Sequence, residues 1–214
     1  MYAYEPTYLE RARTTMGSML EYAVHDQNLS LKEFYPLFLS TGIASRFEKG
    51  EAKLLAGMSG AELAAFVMDC AGLPLKLRQP TPKTARSEEY WTGWAVTYYQ
   101  WETNRSFSEI NKRIPISHIR DLYSPFHEMD IRHFSDEINR QWDEYDRKEK
   151  EMSSLARLRK YAALSQGMLA ERSGVPVRSI QQYEQGQKLL SRAGADTVDR
   201  LAKSLQCSPE SLLF

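Results

Sequence analysis

Apolar residues recur at three- and four-residue spacing along most of the chain, and runs that alternate apolar with polar residues are almost absent. The pattern predicts an all-α protein. Ser30-x-x-Glu33, Ser59-x-x-Glu62 and Ser106-x-x-Glu109 each place a hydroxyl where a helix's first turn has free N–H groups, with a glutamate positioned to reach back, so each predicts a helix start. Gly50 and Gly72 follow periodic segments as helix stops, and Pro125 and Pro209, each after a serine, suit a first helical position. GLPLKLRQPTPKTARSE, Gly72 to Glu88, holds three prolines and no apolar period and is expected to be a loop or tether. WDEYDRKEKE, Trp142 to Glu151, is a mixed-charge run expected to form an exposed helix or linker. The resulting expectation is a helical subdomain over 1–73, a proline-containing tether over 74–89, a second helical subdomain over 90–150 and a separate module over 151–214.

The first two segments share a pattern at a constant offset of 76: Tyr22, Asn28, Ser30, Leu31, Glu33 and Phe34 match Tyr98, Asn104, Ser106, Phe107, Glu109 and Ile110. An internal duplication of a helix–turn–helix unit accounts for this, and so does chance recurrence of capping boxes in an all-helical chain. Trp91, Trp94 and Tyr98 follow helical spacing and are expected in a core, whereas Tyr99 and Trp101 fall off that face and would mark a partner surface.

Composition narrows the function only in part. The chain has 214 residues, 42% of them apolar and 26% charged, which suits a globular protein. No apolar run approaches the roughly 18 residues that span a bilayer, and the N-terminus lacks a charged segment followed by an apolar one, so no membrane association and a cytoplasmic location are expected. Cys70 and Cys207 lie in apolar helical patterns without a ligand partner and are expected as small buried hydrophobes. His127, Glu128, Asp130 and His133 cluster in SPFHEMDIRHF, but two histidines six apart face different sides of a helix. No metal site is expected there, and Pro125 to Glu128 is read as a helix start. No nucleophile–base pair or phosphate loop is found either, so neither enzymatic activity nor a cofactor is expected. The formal net charge is zero, yet residues 151–214 hold 9 Lys/Arg against 6 Asp/Glu while residues 1–150 hold 19 against 22. The positive end is a weak pointer to nucleic acid.

The pointer sharpens in LSQGMLAERSGVPVRSIQQYEQGQ, Leu164 to Gln187. Leu155, Leu158, Ala162 and Leu164 mark one helix, Ser165 caps a second with Met168, Leu169 and Ala170, Gly174 supplies the turn, and Val175 and Ile180 anchor a third. Val177, Arg178, Gln181 and Gln182 are left outward on the third helix. Arginine can donate twice to guanine and glutamine can pair with adenine's edge in the major groove, so these four are candidate base readers.

These residues, with ADTVDRLAKSLQCSPESLLF after them, resemble the helix-turn-helix domain of the XRE, or Cro and phage-repressor, family over residues 152–214. The resemblance rests on Ser165-Gln166, Leu169-Ala170, Gly174-Val175, Ile180, Tyr183-Glu184-x-Gly186, Leu201-Ala202 and Leu205. It implies a five-helix, lambda-repressor-like domain in which Gln166 holds a DNA phosphate, Val177, Arg178 and Gln182 face bases, and Arg159 and Glu184 pair across the first and third helices. Lys188 and Arg192 are carried as further phosphate contacts. Two features depart from the family pattern: Pro176-Val177 opens the third helix, and the connection KLLSRAGA after Gly186 is longer. LFLSTGIASRFEKG, LAGMSGAEL and YYQWETNRSFSEI resemble helical regions of regulators in gut Firmicutes, some similar to proteins of toxin–antitoxin-like operons. Together these imply a sequence-specific regulator of double-stranded DNA, expected as a homodimer and as an antitoxin or autorepressor whose N-terminal region binds a protein partner. The alternatives are a ligand-sensing repressor and, in another class, an enzyme with a DNA-targeting tail.

Overall fold

Ser30, Ser59 and Ser106 start helices as their spacing predicts. In the computed structural model, which describes residues 2–74, 80–81 and 85–213, each serine Oγ accepts from the glutamate N–H three residues on at 3.2–3.3 Å. Each glutamate in return accepts from the serine N–H at 2.7–3.1 Å. The described residues form fifteen α-helices and no strand. None of these helices is long and apolar enough to cross a membrane.

The first ten helices come as two runs of five, each shortening from its first helix to its fourth and lengthening again at its fifth. Helices α1 (Leu9–His25), α2 (Leu31–Ser40), α3 (Ile43–Glu48), α4 (Ala52–Leu55) and α5 (Gly60–Cys70) are followed by α6 (Glu88–Thr103), α7 (Phe107–Arg113), α8 (Ile116–Asp121), α9 (Tyr123–Phe126) and α10 (Ile131–Glu151). Asn28 and Asn104, matched at the offset of 76, both take the left-handed conformation, φ 59° and 54°, in the turn that ends the first helix of each run. Asparagine tolerates that region better than most residues, so the shared turn has a local cause. Chance recurrence of caps does not supply the matching turn and helix order, and the duplication reading gains by both.

The two leading helices run antiparallel. Glu21 and His25, late in α1, meet Ser87 N–H and Glu89 at the start of α6, at 3.1 and 2.8 Å, whereas Arg13 reaches Trp94. They touch backbone to backbone where Gly17 lies against Gly93, another pair at the offset of 76. A Cβ on Gly93 would sit 2.6 Å from the Met16 carbonyl oxygen and 2.9 Å from Gly17 Cα, and one on Gly17 would sit 2.7 Å from the Tyr90 carbonyl oxygen.

One core fills this unit. Met16, Leu20, Phe34, Phe38 and Phe47 pack with Phe107, Phe134 and Ile138, all nearly inaccessible. The expected split into subdomains over 1–73 and 90–150 is therefore corrected: residues from both sides of the proline segment belong to one core, and the chain divides into compact units after Trp142. The stretch Gly72 to Glu88 is also not free where it is described. Asp26 Oδ1 accepts from Thr81 N–H at 3.1 Å and from its hydroxyl at 2.5 Å, and helix α6 already begins at Glu88. Residues 75–79 and 82–84 of the expected tether lie outside the described residues.

Four further expectations are corrected. Eleven of the sixteen residues of α6 are buried, and its partly exposed side carries Trp94, Tyr98 and Glu102 instead of the expected pair: Tyr99 is inaccessible with its hydroxyl 2.9 Å from Asn139 Oδ1, and Trp101 donates from Nε1 to the Tyr4 carbonyl at 2.9 Å. Neither marks a free surface. Pro125 is third in α9, which ends at Phe126, so His127 and Glu128 follow a helix instead of starting one. Proline is tolerated there because first-turn N–H groups have no helical acceptor. Cys70 is exposed, the last residue of α5, because periodicity gives a helix face but not how far the core extends beneath it. The expected helix over Leu155 to Leu164 stops at Tyr161, and Leu164 joins its core from the turn.

Residues 143–214 form the second unit. After the last turns of α10 come α11 (Ser154–Tyr161), α12 (Gln166–Ser173), α13 (Val177–Glu184), α14 (Ala195–Leu205) and α15 (Pro209–Leu213). Leu155, Leu164, Leu169, Val175, Ile180, Leu201 and Leu205 form a core of their own.

A glycine inside a helix ordinarily costs about 1 kcal/mol relative to alanine. The Gly17/Gly93 contact reverses that sign: Gly93→Ala is expected to destabilise the chain by about 1–3 kcal/mol, because backbone cannot yield as a side chain does. Urea unfolding of the full chain reads this directly, and an unchanged or raised midpoint for Gly93→Ala would refute the close crossing. The separate second core carries its own expectation. A 143–214 fragment should melt cooperatively with a helical circular-dichroism spectrum, and a random-coil spectrum would contradict it.

Candidate nucleic-acid interface

The third helix of the second unit is placed by the turn before it and the charge at its end. Ser165 Oγ accepts from Met168 N–H at 3.1 Å and starts α12, and Gly174 ends it in the left-handed conformation at φ 65°. Pro176, with extended ψ of 135°, turns the chain into α13 one residue before Val177. The unusual Pro176-Val177 opening therefore still yields a helix, since a proline before the first turn needs no N–H partner. Ile180 is inaccessible and Tyr183 half-buried, so the side of α13 that holds the core is fixed.

At the far end of α13, Glu184 holds three helices together. Arg159 on α11 donates from Nε to Glu184 Oε1 at 2.6 Å and from Nη2 to Oε2 at 2.8 Å, a two-pronged pair with side chains 12% and 7% exposed. Its Nη1 donates to the Leu164 carbonyl at 2.7 Å, which fixes the turn before α12. Gln166, the first residue of α12, donates from Nε2 to Glu184 Oε2 at 2.8 Å. Burial works against ionising Glu184, but hydrogen bonds from Arg159 and Gln166 together with the Arg159 charge outweigh it, and its pKa lies below the ordinary glutamate value.

Of the candidate base readers, Arg178 and Gln182 lie on the side of α13 away from Ile180, while Val177 and Gln181 flank it. Val177 is 42% exposed and Arg178 is exposed, with no ion pair or side-chain hydrogen bond among the described residues. Gln181 and Gln182, one turn on, are partly exposed. Gln181 Nε2 donates to Gln166 Oε1 at 3.5 Å, so Gln166 bridges Glu184 and Gln181. That bridge was not foreseen from sequence; its only signal there was the polarity of three positions, which does not reveal which side chains meet. Lys188 and Arg192, both exposed, line one cleft of about 440 Å³ with Tyr183, so the longer connection KLLSRAGA brings two cations beside the end of α13.

Elsewhere, the histidine–carboxylate cluster is engaged locally. His127 stacks on Tyr123 with ring centres 4.2 Å apart, and Arg132 donates to both Asp130 oxygens at 3.0 and 2.8 Å, holding that carboxyl well below its usual pKa. No group of three or more metal-ligating side chains is present among the described residues.

Comparison with known proteins agrees with the geometry. A family model described as Helix-turn-helix matches residues 155–212. Residues 155–212 are a helix-turn-helix domain of the XRE type. This domain type supports a DNA-binding transcriptional regulator. No curated protein and no solved structure matches the chain.

The Glu184 cluster has a measurable consequence for the helix-turn-helix domain. Glu184→Gln removes the charge that Arg159 faces and is expected to cost roughly 1–4 kcal/mol. A carboxyl whose folded pKa is lowered stabilises the fold above the unfolded glutamate value of about 4.3 and loses that contribution as pH falls through the folded value. Thermal melts of the 143–214 fragment between neutral pH and pH near 3 should fall more steeply for the parent than for Glu184→Gln. Parallel curves would show that the carboxylate does not hold the domain.

Proposed function

We propose that α13 is the base-reading helix of a sequence-specific DNA regulator. The carrying observation is the pairing of a rigidly anchored helix with an unpartnered exposed arginine: α13 is held by Ile180 and by the Arg159–Glu184 pair, while Arg178 beside Val177 has no internal role. An α-helix fits the major groove, where Arg178, Gln181 and Gln182 have the donors and acceptors to read base edges and Val177 has the apolar surface to meet a thymine methyl.

Gln166 takes the backbone role in this reading. Its Nε2 carries a second N–H beyond the one given to Glu184, and its main chain stands at the start of α12, where free N–H groups favour a phosphate. Lys188 and Arg192 add two cations from their shared cleft. A single helix-turn-helix module covers too little groove for tight binding, so the regulator works as a homodimer on two half-sites. The N-terminal unit then serves as the part that receives a protein partner, as in an antitoxin or autorepressor. That assignment is supported by the likeness of LFLSTGIASRFEKG and its companion segments to helical regions of regulators in gut Firmicutes, some similar to small proteins encoded in toxin–antitoxin-like operons.

Arg178→Ala and Gln182→Ala should each weaken operator binding by roughly 1–3 kcal/mol per half-site while changing binding to scrambled duplex much less. Gln166→Ala should weaken both alike, and loss of Lys188 or Arg192 should flatten the salt dependence by about one unit per phosphate contact. The operator is first obtained by selection from random duplexes, and binding is titrated at two salt concentrations. If selection enriches no sequence, or if Arg178→Ala keeps full operator preference, α13 does not read bases.

A further inference from the structure

The N-terminal unit holds a cleft of about 420 Å³ whose walls are aromatic. That volume lies in the range of small-molecule sites, which combine apolar rings with a few placed polar groups. Trp91 and Trp94 reach it from α6, and Tyr123 from α9 meets Trp91 edge-on with ring centres 5.7 Å apart. Helical spacing alone would assign such rings to a core. Yet Trp94 and Tyr123 keep partial exposure at the cleft, so part of each ring remains available to an incoming molecule.

The charged residues that line the cleft are Glu10 and Arg86, with His127 beside them. Arg13, only 5% exposed, places its guanidinium 3.2 Å from the centre of the Trp94 ring. Its Nη1 donates to Glu10 at 2.6 Å, but its buried Nε and Nη2 have no partner among the described residues. This cation is thus only partly compensated, and it fixes Trp94 in place. Arg86, which lines the cleft, lies 3.9 Å over the Tyr90 ring and has no carboxylate partner among the described residues. The one carboxylate that lines the cleft, that of Glu10, is engaged by Arg13 from outside the lining, so Arg86 has no counter-charge there. Flat apolar walls select a ring, and an unneutralised guanidinium at the margin selects an anionic group attached to it.

We propose that this cleft binds a small planar aromatic anion, its ring against Trp91, Trp94 and Tyr123 and its anionic group on Arg86. The site is built wholly from the N-terminal unit and stands apart from the DNA reading. It supplies that unit with a small-molecule ligand whether or not it also receives a protein. Aromatic carboxylates and mononucleotides share the required chemistry, and the two are separated by the choice of probes.

The full chain is titrated calorimetrically with indole-3-acetate and adenosine monophosphate, each beside its neutral counterpart, indole or adenosine. At least one anionic probe should bind saturably in the millimolar range or tighter and exceed its neutral counterpart, and whichever anion binds better names the source. Arg86→Gln, a change at an exposed position, should weaken the anion about tenfold, the worth of one charge-assisted hydrogen bond, and leave the neutral molecule nearly unchanged. Thr14→Phe, which places a ring in the cleft, should abolish binding of both while helix content is kept. The proposal is overturned if neither anion saturates, if neutral and anionic probes bind alike, or if Arg86→Gln leaves the anion's affinity as it was. A folded Thr14→Phe chain that still binds overturns it equally, and should that variant fail to fold, the Arg86→Gln comparison decides alone.

Discussion

The carboxylate of Glu184 is the constraint on which the DNA-binding end of this protein depends. It is nearly buried, accepts two hydrogen bonds from Arg159 and one from Gln166, and so ties α13 to both helices before it. An ion pair of this kind is a poor source of net stability, because desolvating two charges offsets most of their attraction. Its value lies in geometry. The apolar contact at Ile180 tolerates small rotations of α13, whereas a two-pronged guanidinium–carboxylate pair does not. The proposed presentation of Arg178 and Gln182 to base edges would need that second kind of restraint, since hydrogen-bond readout is lost over fractions of an ångström.

The N-terminal unit solves a different problem by different means. Its core gathers large aromatic residues such as Tyr35, Phe38, Tyr99 and Phe134, and bulky side chains ordinarily keep helix axes apart. Gly17 and Gly93 remove the obstruction at one level, so α1 and α6 meet at the backbone while the rings pack around them. The same two positions are equivalent within the repeated five-helix order, which is how a duplicated unit would make a self-complementary contact. A single small residue in the ancestral unit would then serve both sides of the crossing.

Much of this was legible in the sequence wherever the cause is local. The three capping boxes depend on residues three apart, the turn before the third helix of the domain on Gly174, and the spacing Leu169, Val175, Ile180 marks the C-terminal core. Legibility failed where burial depends on what packs against a helix from several sides. Tyr99 and Trp101 read as surface because one face of α6 seemed sufficient, yet the helix is enclosed nearly all round. Sequence distance misled in the same way over the proline segment: Thr81 is held by Asp26, 55 residues earlier, and a composition that suggests a boundary says nothing of what its ends touch. Cys70 shows the opposite error, a periodic apolar position that outruns its core. The Gln166–Gln181 contact was invisible because glutamine composition gives no partner.

Charge connects the two ends of the chain with less ambiguity than its zero total suggests. The excess of Lys/Arg in residues 151–214 is only three, which is too small to bind DNA by field alone. Its effect depends on which cations are neutralised inside the domain. Arg159 is committed to Glu184, Arg200 lies 3.0 Å from Asp196 and Lys203 lies 2.6 Å from Asp199. Removing these three pairs leaves Arg178, Lys188 and Arg192 among the cations with no carboxylate partner among the described residues, and all three are exposed on α13 or the connection after it. The internal pairs leave three exposed cations where the geometry also points, and this placement argues more strongly for nucleic acid than net charge does. The same reasoning applied to residues 1–150, whose sum is negative, draws attention to Arg86, a cation at the aromatic cleft with no carboxylate partner among the described residues. A balance summed over a chain hides both, because recognition is decided by the charges that packing leaves unpaired.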